Sequence, residues 1–377
     1  MRVLHTESSL NWGGQEYRIL EQVRWLNENG HWSAIAARAD SAIYQRANDW
    51  GLPVYKIPFR GSYAPSAVRA LRRLVKREHI DVIDAHGGYD TATAGLARFL
   101  CPVIRSLHVM KQQKTSLSRR LQWRLSCDHV IATAACIRDQ LVGLGLRESQ
   151  HISVVGEWAD EVFFQDRPHC DAHAALCTEL HVPPATHLFA VIGMLRKDKG
   201  QEYFIAAAEK FLRQCRDARF LVVGAATASE PEYEALLKRQ VDEAGLHDKI
   251  LFLGYRDDVP QLMRGLDAVI LTSVDVEAQS RIVPQAFASR VPVIANRVGG
   301  VPELVVDGET GCLVNVRDDD AITRAMLKIV NMPGFCQSLV DRAYDYAQKN
   351  LHIHRKMEET LAVYRQVIAY RGMDEAI

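Results

Sequence analysis

Two polar side chains in the second half of the chain have a spacing that suits ligand binding. Glu277 and Gln285 are separated by seven residues, within a pattern over residues 266–314 of apolar strand, polar loop, short helix, apolar strand and Gly-Gly loop. An acid in a strand-to-helix loop and an amide in the next helix can face one crevice at the carboxyl edge of a parallel sheet. Pro284 suits the first turn of that helix because its missing N–H needs no partner there. The pair therefore predicts a site for an anion or a hydroxyl, and the alternative is an ordinary βαβ unit with a solvated loop.

A cluster of cations follows another apolar run. In VIGMLRKDKGQ (191–201), Arg196, Lys197 and Lys199 crowd the loop between a strand and a helix. Such a cluster suits a diphosphate, because Arg can bind phosphate with two parallel hydrogen bonds and Lys acts as a point charge. The order GxxxxGKS or GxxxxGKT is absent, which disfavours phosphoryl transfer by a P-loop. The alternative is a charged surface turn.

The first half carries candidate residues just after three of its apolar runs. Gly13-Gly14 precede a helix after the first strand, where the backbone can approach a phosphate closely. The motif is not GxGxxG, and Arg38 rather than an acid ends the second strand, so a dinucleotide dehydrogenase is disfavoured. His86 and His108 each follow a strand directly. The alternatives are a tight turn for the glycines and structural roles for the histidines.

Short apolar runs alternate with helical patterns throughout the 377 residues, which predicts parallel sheets covered on both faces. The length favours two α/β domains. We predict an N-terminal Rossmann-like domain over 1–165, a second over 166–353, and a C-terminal amphipathic helix over 354–377. In the first half the predicted strands are Arg2–Thr6, Ser33–Arg38, Val54–Pro58, Asp81–Ala85, Val103–Leu107, His129–Ala132 and Ile152–Val155. In the second half they are Leu188–Ile192, Arg219–Val223, Ile250–Leu253, Ala268–Leu271 and Val291–Ala295.

The composition is that of a soluble globular protein, with 48% hydrophobic and 24% charged residues and a net charge of zero. No apolar run is long enough to span a membrane and the first residues form a strand, so we expect a cytoplasmic protein. Residues 1–165 carry 21 Lys and Arg against 16 Asp and Glu, concentrated at 68–79 and 111–124. These basic stretches could meet an anionic membrane surface, and the alternative is a solvated helix face. Nucleic acid is not expected, because no binding motif is present.

No segment predicts a metal site. Cys170, His173, Cys177 and His181 would lie along about three turns of one helix, too far apart to reach one ion. Residues 318–320 are three consecutive aspartates, and such a run suits the start of a helix.

Five stretches in the right order resemble the family-4 retaining glycosyltransferases with the GT-B fold, over nearly the whole chain. They are GGQE (13–16), the His108 segment, Gly193–Gly200, FLGYRDDVPQLM (252–263), and the Glu277–Gln285 region with VGGVPELVVDGETGCLV (298–314). The resemblance implies two Rossmann-like domains that face each other across a cleft. It also implies that the C-terminal helix crosses back onto the first domain.

The resemblance assigns a role to each candidate residue. Glu277 matches the first acid of the family's E-x7-E motif, which holds the donor sugar, and His108 matches the family's active-site histidine. Arg196 and Lys199 would neutralise the leaving diphosphate. No metal or other cofactor is implied. The other donor-binding candidates are Gly13, Gly14, Tyr255, Arg256, Gln279, Ser280, Arg281 and Gln285, and the acceptor-side candidates are Glu16 and His86.

Two positions depart from the family pattern. Gln285 replaces the motif's second glutamate, so a charge-assisted hydrogen bond to the donor ribose becomes a neutral one. Met194 stands where many members carry an arginine, and Arg196 is expected to substitute for it.

The sequence thus predicts a retaining transfer of a sugar from a nucleotide-sugar donor to a hydroxyl of a glycan or lipid-linked glycan. The expected setting is lipopolysaccharide or other cell-surface polysaccharide assembly, in the cytoplasm or at the inner face of its membrane. The alternatives are a nucleotide-sugar epimerase or phosphorylase on the same fold, and a non-catalytic sugar-binding protein.

Overall fold

The computed structural model describes residues 1–109, 115–165, 168–227, 230–275 and 277–374. The chain divides into two compact units, Met1–Gly156 with His354–Ile377, and Glu157–Ile353. Each unit contains one parallel sheet with helices between its strands. The predicted α/β class with two Rossmann-like domains is therefore confirmed.

The first unit is built on a seven-stranded sheet with the order β3-β2-β1-β4-β5-β6-β7, in which all neighbouring strands are parallel. Its strands are β1 (Arg2–Glu7), β2 (Trp32–Ala37), β3 (Val54–Lys56), β4 (Val82–Ala85), β5 (Val103–Leu107), β6 (His129–Ala132) and β7 (Ile152–Val154). Its helices are α1 (Gly14–Glu28), α2 (Ala42–Asp49), α3 (Pro65–Arg77), α4 (Gly88–Gly95), α5 (Leu117–Ser126) and α6 (Ala135–Gly143). The first four residues of the predicted basic stretch 111–124 lie outside the described residues.

The second unit is built on a six-stranded parallel sheet with the order β10-β9-β8-β11-β12-β13. Its strands are β8 (His187–Ile192), β9 (Ala218–Val223), β10 (Ile250–Gly254), β11 (Ala268–Leu271), β12 (Val293–Asn296) and β13 (Cys312–Val314). Its helices are α7 (His169–Glu179), α8 (Gln201–Leu212), α9 (Glu232–Glu243), α10 (Val259–Arg264), α11 (Ile282–Ala288), α12 (Asp319–Asn331) and α13 (Pro333–Asn350). Asp318 caps α12 by accepting a hydrogen bond from the amide of Ala321 at 2.8 Å, as the acidic run predicted.

Each sheet has one point where the strand order reverses, and these points position the candidate residues. In the first unit the reversal lies between β1 and β4, and in the second between β8 and β11. The connections that leave two such strands diverge to opposite faces, which opens a crevice at the carboxyl edge of the sheet. The loops that follow β1, β4, β8 and β11 carry most of the predicted site residues.

The boundary between the units lies at Gly156 rather than near residue 165. The segment after Gly156 joins the second unit because Ala159 donates its amide hydrogen to Leu351 O at 2.8 Å, and Phe163 packs into the second core. Residues 169–179, just after the predicted boundary, form α7. Its Leu176 is buried in the same core, so the second unit begins nine residues earlier than predicted.

The last helix, α14 (Ile353–Asp374), belongs to the first unit from His354 onward. His354 Nδ1 accepts a hydrogen bond from the indole of Trp25 at 2.8 Å, and Arg371 lies 3.8 Å from Asp128. The hydroxyl of Tyr364, fully buried, donates to Asp84 Oδ2 at 2.6 Å. The C-terminal helix thus completes the first unit. No helix in the described ranges is both long and apolar enough to cross a membrane.

We expect Tyr364→Phe to lower the free energy of unfolding by about 1.5–3 kcal/mol, because a buried carboxylate loses one of its hydrogen-bond donors. Urea unfolding measures the effect. Tyr370→Phe is the matched control, since Tyr370 lies on the same helix and is exposed. Equal stabilities of the two variants would show that the contact with Asp84 does not hold α14 in place.

Candidate active site

An ion pair occupies the reversal point of the second sheet. Lys199 Nζ lies 2.6 Å from Glu277 Oε2, and the hydroxyl of Ser273 donates to the same oxygen at 2.7 Å. The Glu277 residue is only 7% exposed. Lys199 comes from the loop after β8 and Glu277 from the loop after β11, so strands distant in sequence bring the two predicted residues together.

Backbone contacts fix the two loops against each other. Thr272 Oγ1 donates to Lys199 O at 2.8 Å, and the amide of Val274 donates to Asp198 O at 2.9 Å. Gly200 has a φ of +63°, and a Cβ there would meet Thr272 O at 2.4 Å. The glycine that follows the lysine is therefore required by close packing of the backbone, and it sets where Lys199 emerges.

Gly299, in the loop after β12, supports Glu277 from the other side. Its φ is +52°, and a Cβ there would lie 1.7 Å from Glu277 O. The next residue, Gly300, donates its amide hydrogen to Ala278 O at 2.9 Å. The Gly-Gly pair of the sequence motif is thus the surface against which the Glu277 loop rests.

We expect Gly299→Ala to displace the Glu277 loop and to weaken donor binding, because the clash is with backbone and cannot be relieved by a side-chain rotation. Gly308→Ala is the matched control: φ is +72° and no atom lies within 4 Å of its Cβ position. The control should lose only about 1–2 kcal/mol of unfolding free energy, which is the cost of placing an alanine in the left-handed conformation. Thermal unfolding and nucleotide binding are the measurements, and equal losses in both variants would contradict the predicted support.

Arg196 lies in the same loop as Lys199 but is bound to a neighbour. Its guanidinium makes two hydrogen bonds to the Asp198 carboxylate, at 2.9 and 2.6 Å. A diphosphate would have to compete with Asp198 for this side chain. Lys199 and Arg196 therefore share one loop, and each is paired with a carboxylate in the structure.

The other predicted donor residues of this region are placed around α11. Gln279, Ser280 and Gln285 are buried, and Arg281 immediately precedes the helix. Gln279 Oε1 accepts from the amide of Glu157 at 3.0 Å and its Nε2 donates to Glu303 at 3.1 Å. Gln279 therefore ties the start of the second unit to the loop after β11 that contains Glu277, a structural role that the sequence did not indicate.

Tyr255 and Arg256, which were predicted to bind the donor, follow β10. Tyr255 is exposed and donates to Asp257 at 2.9 Å. Arg256 contacts Glu179 at 2.5 Å and Asp258 at 2.5 Å, and these hydrogen bonds hold the pKa of Arg256 above and that of Asp258 below their usual ranges. The Arg256 guanidinium is thus part of an ion-pair cluster, and the Tyr255 ring is accessible to solvent.

The reversal point of the first sheet contains a cluster of buried carboxyl groups. Glu7 ends β1, and Gln15 donates to it at 2.5 Å. Gln15 lies in the first turn of α1, which Gly13 precedes and Gly14 begins. Glu16 is buried in the first turn of α1. Burial, with Asp90 and Glu16 nearby, raises the pKa of Glu7 to about 8. The predicted acceptor-side Glu16 therefore belongs to a group that includes Glu7 and Asp90, which the sequence reading did not select.

Asp90 holds together the two loops of this reversal point. Its carboxylate accepts from Thr6 in β1 at 2.9 Å and from Ser8 just after β1 at 2.7 Å. It also accepts from the amides of His86 and Gly87 after β4, at 3.1 and 3.0 Å. A Cβ on Gly87 would meet Asp90 Oδ1 at 2.3 Å. The position of His86 is thus fixed by its backbone as well as its ring.

Three histidine rings form a hydrogen-bonded row from His108 into the sheet. His108 Nε2 lies 2.9 Å from His86 Nδ1, and His86 Nε2 lies 3.0 Å from His5 Nδ1. Burial lowers the pKa values of His5 and His86 to about 3. A neutral His86 carries one ring hydrogen, so it donates to one neighbour and accepts from the other. The tautomer of His108 is therefore coupled to that of His5 through His86.

Asp84 lies beneath the inner end of this row. Its Oδ2 is 3.9 Å from both His5 Nδ1 and His86 Nε2, and its Oδ1 accepts from Ser106 at 2.7 Å. Among the described residues, His5, Asp84 and His86 offer the chemistry of metal ligands. His5 Nδ1 and His86 Nε2 already form a hydrogen bond with each other, so these side chains are arranged as a hydrogen-bonded row.

Comparisons with known proteins identify the chain. The family described as Glycosyltransferase Family 4 matches residues 12–160, and the family described as Glycosyl transferases group 1 matches residues 186–332. The chain belongs to the family 4, group 1 glycosyltransferases. Together the two matches cover all of the named strands except β1, and the resemblance predicted from sequence is confirmed.

Relatives of this glycosyltransferase act on several sugars. It is 32% identical to the lipopolysaccharide core biosynthesis mannosyltransferase LpcC of Rhizobium leguminosarum bv. viciae over 185 residues, 49% of this chain and 52% of that protein. The chain thus matches about half the length of that relative. It is 23% identical to N-acetyl-alpha-D-glucosaminyl L-malate synthase of Bacillus anthracis over 308 residues, 79% of this chain and 78% of that protein.

A solved structure shows the same fold. Alr3699/HepE of Anabaena, crystallised in complex with UDP, matches this glycosyltransferase with a TM-score of 0.84 at 20% identity, over 97% of this chain and 100% of that chain. This likeness confirms the predicted GT-B fold class.

Sequence reasoning also missed three buried polar residues around the histidine row. His5 and Asp84 are in β1 and β4, and Tyr364 is in α14. A polar residue within an otherwise apolar, fully buried strand was the available signal, because a central parallel strand is covered on both faces. Nothing in the local sequence indicated that Tyr364 would reach Asp84.

Proposed function

We propose that this glycosyltransferase transfers a hexosyl unit from a nucleotide sugar to a hydroxyl of a glycan acceptor, with retention of configuration at the anomeric carbon. The observation that carries the proposal is the Lys199–Glu277 pair at the reversal point of the second sheet, in which the carboxylate is buried and the lysine half-buried. It sets a cation and a hydroxyl-binding carboxylate 2.6 Å apart. A sugar diphosphate carries hydroxyls, which the carboxylate can bind, next to phosphates, which the cation can bind.

Each residue has a defined part in this reaction. Glu277 holds the sugar hydroxyls, while Lys199 and Arg196 stabilise the charge that develops on the leaving diphosphate. His108 acts near the reacting carbon, with Glu16 and His86 on the acceptor side. The acceptor oxygen bonds to the anomeric carbon as its bond to the phosphate oxygen breaks, and the acceptor proton passes to the departing phosphate. Because two cationic side chains supply the positive charge, the proposed transfer needs no metal ion.

The comparisons favour a setting in cell-surface polysaccharide assembly. LpcC of Rhizobium is a lipopolysaccharide core enzyme, and the Anabaena protein binds UDP. We propose a glycan or lipid-linked glycan acceptor at the cytoplasmic face of the membrane. Neither relative favours the epimerase or phosphorylase alternatives.

A panel of UDP-, GDP- and ADP-sugars, scored by thermal shift and then by product formation, tests the proposal. A nucleotide sugar bound only by the native protein raises its stability. NMR of the product gives the anomeric configuration, and an inverted linkage would exclude the retaining mechanism. Binding of a nucleotide sugar without transfer to the acceptors tested would favour the non-catalytic alternative. We also expect the activity to persist after chelation of metals.

A further inference from the structure

The helix α5 presents an apolar row to solvent. Leu117, Leu121 and Leu125 are 85%, 57% and 57% exposed. Residues four apart lie on one side of a helix, so the three leucines form a single face. Exposed leucines scattered singly are ordinary on a protein surface, but a contiguous apolar row marks an interaction site.

The opposite side of α5 is anchored in the first unit, so the leucines face outward on a held helix. Trp123 is buried, with the Arg105 guanidinium 4.1 Å from the centre of its ring. Arg147 donates to the carbonyl oxygens of Trp123 and Cys127, at 3.5 and 3.2 Å, near the end of the helix.

Arginines border the leucine row on one side. Arg120 and Arg124 lie on the flank of α5 and, with Arg147, line an open cavity of about 570 Å³. The acidic residue of this cavity is Glu148, which is 3.6 Å from Arg124. Both of these side chains are well exposed, so water and salt screen their attraction and leave Arg124 available to other anions.

The end of α4 extends this surface. The backbone of Ser126 lies 2.8 Å from the Cβ position of Gly95, so the ends of α4 and α5 are in contact. Leu96 and Phe99 are exposed just beyond Gly95, and the Arg72 guanidinium of α3 is 4.7 Å from the centre of the Phe99 ring. Apolar and basic side chains are thus found on α5, just after α4 and on α3. The basic stretches of the sequence overlap α5 and α3.

We propose that the leucine row of α5 and its flanking arginines dock this protein onto an anionic phospholipid surface. The leucines enter the boundary between head groups and acyl chains, and Arg120 and Arg124 bind lipid phosphates. An interfacial helix combines these two features, an apolar face and a basic flank. The charge of the flank favours an anionic lipid over a neutral apolar partner.

Flotation with vesicles tests the proposal without any sugar substrate, so its outcome is independent of the proposed transfer. The wild-type protein should bind phosphatidylcholine vesicles that contain phosphatidylglycerol and should bind pure phosphatidylcholine vesicles far less. Binding to the anionic vesicles should weaken as salt is added. Absence of binding at low salt would overturn the proposal.

Two variants separate the apolar and the charged contributions. Leu117→Ser with Leu121→Ser and Leu125→Ser should weaken vesicle binding by about tenfold or more, because three buried leucines are lost. Arg120→Gln with Arg124→Gln should weaken it by about fivefold for each arginine and reduce its dependence on salt. Matched controls in the second unit are Leu236→Ser with Met332→Ser, and Arg213→Gln with Arg239→Gln, all at exposed positions.

The controls decide between docking and general surface properties. Equal losses in the test and control variants would overturn the proposal, because binding would then depend only on overall charge or apolarity. A second copy of the chain is the other possible occupant of the leucine row. Light scattering distinguishes this case. If the wild-type protein were a dimer, and the leucine variant were a monomer that still bound vesicles equally well, the row would be assigned to self-association instead.

Discussion

Replacing Glu277 by glutamine should lower kcat/KM for sugar transfer by about 10²–10³-fold, the loss typical when one preorganised group that stabilises the transition state is removed. The substitution keeps the shape of the side chain. It removes a charge that accepts hydrogen bonds from Lys199 and Ser273 at 2.6 and 2.7 Å. Hydrogen bonds to a charged acceptor are roughly twice as strong as neutral ones, so both the sugar hydroxyls and Lys199 lose a strong partner.

Asp275→Asn is the matched control for this substitution. Asp275 lies in the same loop, but its carboxylate is exposed and pairs with Arg317 at 3.4 Å. Steady-state kinetics with a saturating acceptor should show near wild-type turnover for the control. If Glu277→Gln also retained turnover within a few-fold, the donor sugar would have to be held elsewhere, and the role assigned to the Lys199–Glu277 pair would be wrong.

The central strands of the sheets were predictable because they are largely buried on both faces. Val103–Leu107 and His129–Ala132 are continuous short runs between turn signals, and the observed β5 and β6 have the same bounds. The strand β13, Cys312–Val314, was missed since three residues do not establish a periodicity. It forms because it pairs with β12, a contact that is distant in sequence.

The predicted donor residues could be placed from sequence because loops that follow neighbouring parallel strands meet at one edge. That rule brings Lys199 and Glu277 together across 78 residues. This rule does not predict which carboxylate a basic side chain will pair with. The engagement of Arg196 by Asp198 and of Arg256 by Asp258 depends on carboxylates two residues away, whose rotamers decide the pairing.

The boundary near residue 165 was misplaced because composition does not report burial. The polar, histidine-rich segment that includes His169 and His173 has the composition of a linker. In the structure both rings lie against the backbone of the second unit, at Leu266 O and Gly265 O. A short helix that buries one face in a core needs few apolar residues, so Leu176 and Cys177 suffice.

Replacing His86 by phenylalanine should lower kcat by on the order of 10²-fold with a small change in the KM for the donor. His86 is neutral and buried, and it fixes the hydrogen-bond direction and the orientation of His108. Displacing a catalytic group by about 1 Å can cost on the order of 10²-fold in rate. Steady-state kinetics measure the loss, and nitrogen NMR of the imidazole rings should show His108 as a mixture of tautomers in the variant.

His129→Phe separates this positioning role from stability. His129 is a buried histidine in the same sheet, hydrogen-bonded to Ser153 at 2.9 Å. His86→Phe leaves the buried His5 ring without this partner, and His129→Phe leaves the half-buried Ser153 hydroxyl without its histidine partner. Each variant should lose about 1–3 kcal/mol of unfolding free energy, but only His86→Phe should lose turnover. His86→Gln, which can both donate and accept, should recover part of the rate. If the glutamine and phenylalanine variants were equally slow, the row from His5 to His108 would be a packing feature and would not orient His108.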